Sequence, residues 1–124
     1  IATDTLTGSG IMPLGMIYTI SQISSFTNLD PALTIAAATG NVAKSYGLKT
    51  GLIKKDYKGD IVIIDAPLGG TKSNAFDAIK NGDPFAIGAV ITEGIPRFVG
   101  RSRNTPPTMR KIKVEKSIIK KMFH

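Results

Sequence analysis

The sequence predicts an α/β fold, on three observations. First, Ile61-Val62-Ile63-Ile64 is an unbroken β-branched run between Asp60 and Asp65, which favours a buried strand over a helix. Second, residues 85–92 (FAIGAVIT), Glu93-Gly94 and residues 95–99 read as strand, tight turn and strand. Third, the first half of the chain carries apolar residues at three- and four-residue steps with capping signals between them, the pattern of short helices.

In chain order, residues 1–4 (IATD) read as the last turn of a strand and residues 5–10 (TLTGSG) as the loop leaving it. Residues 14–26 follow as a helix, with Ile17, Ile20, Ile23 and Ser24 on one face, and Thr27 and Asn28 end it. Asp30-Pro31 opens the next helix in the expected order, N-cap followed by proline at the first helical position. Leu33, Ile35, Ala36 and Ala37 make this helix apolar and small, suited to close packing. A third helix spans 39–46, with Val42, Ala43 and Tyr46 on one side, and Gly47 stops it by taking a left-handed conformation. The polar turn Lys54-Lys55-Asp56-Tyr57-Lys58 leads into the β-branched strand.

After Asp65 the stretch Ala66-Pro67-Leu68-Gly69-Gly70-Thr71-Lys72-Ser73 has the look of a phosphate loop. That motif requires glycine directly before the lysine, where Thr71 stands, so a nucleotide cradle is not expected. Instead Ser73 or Asn74 caps a short helix over 75–80, which Asn81-Gly82 terminates. Pro96 confines the last strand to a sheet edge or to a position whose amide needs no partner.

Composition narrows the classes. A chain of 124 residues with 42% hydrophobic content holds one core, and it is far short of the roughly 250 residues of a complete (β/α)₈ barrel. Without cysteine there are no disulfides and no thiolate metal ligands. No apolar run approaches the roughly 20 residues that span a bilayer, and the first residues do not read as a signal peptide, so no membrane partner and a cytoplasmic location are expected. A chain opening on Ile1, directly in a strand end, fits a truncated product, the alternative being ordinary processing or trimming.

The net charge of +7 is unevenly placed. Residues 1–100 hold eight Lys and Arg against eight Asp and Glu, while residues 101–124 hold eight basic residues against Glu115 alone, so the whole excess belongs to the tail. There Val114, Ile118 and Met122 fall at i, i+4 and i+8, the spacing of an amphipathic basic helix. Such a helix packs on a neighbouring subunit with its lysines in water, or meets an anionic partner. Phe123 is its only aromatic residue, which argues against single-stranded nucleic acid. His124, the only histidine, has no second imidazole to join it on a metal.

Several stretches together carry a family resemblance. Ala38, Thr39, Asn41, Ala43, Gly47 and Leu48 fit an A-T-x-N-x-A-x-x-x-G-L pattern, and Gly51, Ile53, Asp60 and Val62 fit the G-x-I-x-x-G-x-x-A-D-x-V pattern that follows it. Asp56 and Gly59 depart, standing where glycine and alanine are usual; Asp is among the better residues for the turn a glycine makes. Further on come D-A-P-L-G at 65–69, then Ala78, Ile79, Gly82, Asp83 and Pro84, then S-R-N-T-P-P at 102–107. The chain resembles the end of a metal-dependent amidohydrolase, and within that superfamily the bacterial enamidase branch, which hydrolyses a cyclic enamide.

The resemblance implies a domain plan and a chemistry. Residues 1–48 would supply the last strand and C-terminal helices of a (β/α)₈ barrel, residues 49–100 the C-terminal strands of a small β-sandwich, and residues 101–124 a basic tail. Asp4 would stand at the end of the eighth barrel strand as general base and metal ligand; from the residues alone it reads as a loop-capping carboxylate. The cofactor implied is a divalent metal, zinc first and iron second, with most ligands outside this chain. The substrate would be a small cyclic amide cleaved at its C–N bond, and the partners the missing N-terminal barrel portion and further copies of the full-length enzyme. The isolated chain is expected to be inactive, since one aspartate does not hold a catalytic metal that takes three or more protein ligands. The alternative is a small basic adaptor binding nucleic acid through residues 101–124.

Overall fold

The computed structural model describes residues 1–3, 13–100 and 102–122. The elements run α1 (Gly15–Phe26), α2 (Pro31–Ala38), α3 (Gly40–Ser45), β1 (Ile61–Asp65), α4 (Ala75–Lys80), β2 (Ala86–Thr92), β3 (Ile95–Val99) and α5 (Lys116–Met122). The strands form one antiparallel sheet in the order β1-β2-β3. An α/β fold is therefore observed, and no helix among the described residues is long and apolar enough to cross a membrane.

Local chemistry accounts for the boundaries. The Asp30 carboxylate accepts from the Ala32 N–H at 2.7 Å, with Pro31 in the first turn. The Asn74 side chain accepts from the Asp77 N–H at 2.9 Å and so opens α4. Gly47 takes φ +65° after α3, and Asp56 takes φ +64° at the position where the motif usually has glycine. Glu93 and Gly94, at φ +52° and +76°, make the hairpin turn between β2 and β3. Two consecutive left-handed residues match the twist that joins adjacent antiparallel strands. Pro96 lies on β3, an edge strand, as its missing N–H requires.

The core is small. Ile17 and Ile20 of α1 pack with Ala75 and Ile79 of α4 and with Phe85, and Ile35, Ile64 and Ile87 lie against this cluster. Phe85 precedes β2 and serves the core. Buried hydroxyls satisfy themselves on the backbone: Ser21 donates to the Asp83 carbonyl at 2.8 Å, Ser24 to the Leu29 carbonyl at 3.0 Å, and Thr34 to the Asp30 and Pro31 carbonyls. The Lys80 ammonium donates to the carbonyls of Ser24, Thr27 and Leu29 at 3.1–3.2 Å, closing the C-terminal end of α1 where carbonyls lack helical partners. Lys80→Met is expected to lower stability by about 1 kcal/mol, seen as a lower urea midpoint with unchanged helix content, because three cation-assisted bonds at an exposed site are lost.

Gly51 is the tightest backbone approach in this region. It sits at φ +71°, and a Cβ there would lie 2.8 Å from the Thr39 carbonyl oxygen. Gly51→Ala therefore combines left-handed strain with a clash against backbone, and a loss of about 2–3 kcal/mol in urea denaturation is expected.

Three expectations are corrected. β1 is not a buried strand: Val62 and Ile63, whose side chains point off its two faces, are 51% and 45% exposed. α2 buries Pro31 and Thr34 and sets Ile35 and Ala38 against the core, while Leu33 stays exposed. The tail helix starts at Lys116 rather than near Val114, and it contacts β3 of its own chain. Residues 107–112 are tied to the sheet instead: Leu68 N–H donates to the Pro107 carbonyl at 2.8 Å, Met109 N–H to the Ala66 carbonyl at 2.9 Å, and Ile112 lies over Gly88 of β2, filling the space a Cβ would need.

Candidate active site

Asp4, proposed from the sequence as the catalytic carboxylate, lies outside the described residues, as do Phe123 and His124. Its flanks are placed. The Ile1 ammonium donates to the Ala37 carbonyl at 2.8 Å, which fastens the start of the chain to the last turn of α2. On the other side, Pro13 and Leu14 lead into α1, whose first turn has no side-chain cap. A cavity of about 320 Å³ opens there, lined by Pro13, Leu14, Gly15, Tyr18 and Asn104. Asn104 belongs to the S-R-N-T-P-P motif, so the structure brings that motif to the helix entered from the glycine-rich loop.

The motifs are also bound to one another. The Thr105 hydroxyl is buried and accepts from the Ile87 N–H at 3.4 Å, at the beginning of β2. Pro107 is joined to Leu68 of D-A-P-L-G as described above, and Asp83 of the third motif takes the Ser21 hydroxyl. The three stretches that mark the enamidase branch are thus one packed unit around α1, the end of β1 and the start of β2.

Electrostatically the centre of this unit is Asp65. Its carboxylate is buried, accepts from the Ala66 N–H at 2.8 Å and the Arg110 N–H at 2.9 Å, and pairs with the Arg110 guanidinium, whose Nε lies 3.2 Å from both oxygens. The Arg110 guanidinium above all, aided by the two backbone amides, holds the Asp65 carboxyl down to about 2 from 3.8, against the opposing effect of burial. Asp65 raises the Arg110 guanidinium in turn. This pair positions the tail; it is not a proton-transfer group, since it stays ionised through the neutral range.

Sequence reasoning missed Asp65, Arg110, Thr105, Lys80 and Ser21 as determinants. The D-A-P-L-G and S-R-N-T-P-P motifs contained the signal for Asp65 and Thr105. Lys80 and Ser21 had none, because their partners are carbonyls distant in sequence.

Gly70 N–H is used internally, donating to the Pro67 carbonyl at 3.0 Å. Among the described residues no three His, Cys, Asp or Glu side chains stand together to hold a metal ion. The described residues therefore do not fit the divalent metal that the resemblance implies, and no step is derived through it.

Residues 1–110 match the amidohydrolase family. The chain is 40% identical over 111 residues to enamidase of Eubacterium barkeri, a match covering 90% of this chain and 28% of that protein. A crystal structure of enamidase, described as a new member of the amidohydrolase superfamily, superposes with a TM-score of 0.82 at 39% identity over 87% of this chain and 28% of that one. The chain thus spans little more than a quarter of the length of the relative it matches, and it belongs to the amidohydrolase family.

Proposed function

We propose that this chain is the carboxylate-bearing end of a hydrolase that opens a cyclic amide at its C–N bond, an enamidase-like reaction, with Asp4 as general base. The observation that carries the reading is the identity of 40% spread over nine-tenths of the chain, on a backbone that keeps the relative's local fold. In this reading residues 1–48 belong to the catalytic barrel, residues 49–100 to the β-sandwich beside it, and residues 101–124 form a basic tail.

The chemistry asks for one group that works in both directions. The Asp4 carboxylate removes a proton from water as its oxygen attacks the amide carbonyl carbon. The tetrahedral intermediate then collapses with cleavage of the C–N bond, and the Asp4 carboxylic acid returns the proton to the departing nitrogen. Tyr18 and Asn104 line the cavity at the start of α1. In the parent enzyme a divalent metal, zinc before iron, would have most of its ligands in the rest of the polypeptide, with Asp4 as the one from this chain.

The test is a chimera in which the matching 111-residue stretch of Eubacterium barkeri enamidase is replaced by the corresponding residues of this chain. Ring opening of a cyclic enamide by the chimera, with none by the 124-residue chain alone, is the expected result. A folded chimera that opens no cyclic enamide would contradict the proposal.

A further inference from the structure

Asn81-Gly82, which ends α4, is also the one Asn-Gly pair in the chain: Asn28, Asn41, Asn74 and Asn104 precede Leu, Val, Ala and Thr. A glycine after asparagine leaves the next backbone nitrogen without a flanking side chain, so that nitrogen can reach the asparagine's own amide carbon. In the fold it is engaged elsewhere. Gly82 stands at φ +86°, its N–H donates to the Ile79 carbonyl at 3.0 Å, and the Asp83 N–H donates to the Ala78 carbonyl at 2.9 Å. These two bonds are the Schellman closure of a helix. Asn81 holds ψ −6°, which sets the Gly82 nitrogen over the nitrogen of Asn81 itself and away from its Cβ. Its Nδ2 donates to the Asp83 carboxylate at 2.9 Å.

We propose that Asn81 is a site of spontaneous deamidation, giving an aspartyl or isoaspartyl residue, and that the helix closure of α4 holds the reaction back in the folded chain. In the step, the Gly82 nitrogen attacks Asn81 Cγ. The new N–Cγ bond replaces the Cγ–Nδ2 bond, and the side-chain nitrogen leaves as ammonia with the Gly82 amide proton. Water then opens the five-membered imide at one of its two carbonyls. Nothing is oxidised or reduced, and water is the one co-reactant. The reaction is internal to residues 81–82, so it follows the local opening of this turn and depends neither on a partner nor on the hydrolase reading. Its consequence is electrostatic. The donor that Asn81 offers Asp83 is replaced by a second carboxylate, at the C-terminal end of α4 where negative charge is unfavourable. The Asp83 carbonyl also takes the buried Ser21 hydroxyl, so repulsion there acts on the joint between α1 and the turn after α4.

The experiment incubates the 124-residue chain at neutral pH, in buffer and in denaturing urea, and follows each asparagine by peptide mass spectrometry. In urea Asn81 is expected to convert about tenfold or more faster than any other asparagine, and in buffer its rate should fall about tenfold or more. Equal rates at Asn81 in buffer and urea, or faster conversion of another asparagine in urea, would each overturn the proposal. Hydrogen exchange at the Gly82 amide supplies a second reading. This amide should be protected in buffer by about the factor that slows Asn81; an unprotected Gly82 amide beside slow conversion would overturn the helix closure as the cause. The modified state is tested with Asn81→Asp, whose urea midpoint should lie about 0.3 M or more below the wild type. A midpoint equal to or above the wild type would overturn the electrostatic consequence.

Discussion

Asp65→Ala is expected to cost the chain about 3 kcal/mol in urea denaturation and to release the tail from the sheet. The carboxylate is buried, and its removal leaves the Ala66 and Arg110 N–H groups without an acceptor while deleting a paired charge; losing one member of such a network costs about 3–5 kcal/mol in a fully buried setting. The estimate sits at the low end because the Arg110 side chain is 71% exposed and regains water. Faster amide exchange at Met109 and Arg110 should accompany the loss, since both N–H groups depend on this corner. An Asp65→Ala chain as stable as the wild type, with the tail amides still protected, would remove Asp65 from the account.

The same residue sets an acid limit. Its folded carboxyl sits at about 2 against 3.8 in the absence of the fold, so the folded state takes up the proton less readily than the unfolded one. The stabilisation is therefore complete above pH 3.8 and is lost as pH falls from there toward 2, amounting to about 2 kcal/mol in full. Urea midpoints measured from pH 5 to pH 2 should fall steeply for the wild type across that window, and Asp65→Asn should lack this component of the fall.

Most element positions were legible because each carries its own local chemistry. The Asp30-Pro31 cap, the Asn74 cap, Gly47 and the Glu93-Gly94 turn act within four residues of themselves, and each stands where the sequence places it. What failed depended on partners distant in the chain. The β-branched run of β1 implied burial, but burial needs layers packed over both faces of the strand, and Val62 and Ile63 remain about half exposed. The spacing from Val114 implied a helix two residues longer; just before it, backbone bonds tie residues 109 and 110 to Ala66 and Asp65, and no periodicity in the tail reports on those acceptors. The basic tail likewise reads as a helix for a neighbouring subunit or an anionic partner, whereas Thr105, Pro107, Met109 and Arg110 fix its first half to its own sheet. For the site, the family motifs located the unit that packs together, and the residue assigned the chemistry, Asp4, lies outside the described residues.

The second large effect is catalytic and concerns that residue. In the chimera, Asp4→Asn keeps the size and hydrogen-bonding reach of the side chain but removes the ability to accept a proton from water and return it to nitrogen. General acid–base catalysis by one positioned group contributes about 10²–10⁴-fold, and a group used twice in one turnover belongs at the upper part of that range. The measurement is kcat/KM for cyclic enamide opening by the wild-type and Asp4→Asn chimeras, matched for melting temperature. A drop of about 10³-fold or more in Asp4→Asn, carried by kcat, is the predicted result; an Asp4→Asn chimera within threefold of the wild type would show that this chain does not supply the carboxylate of the reaction.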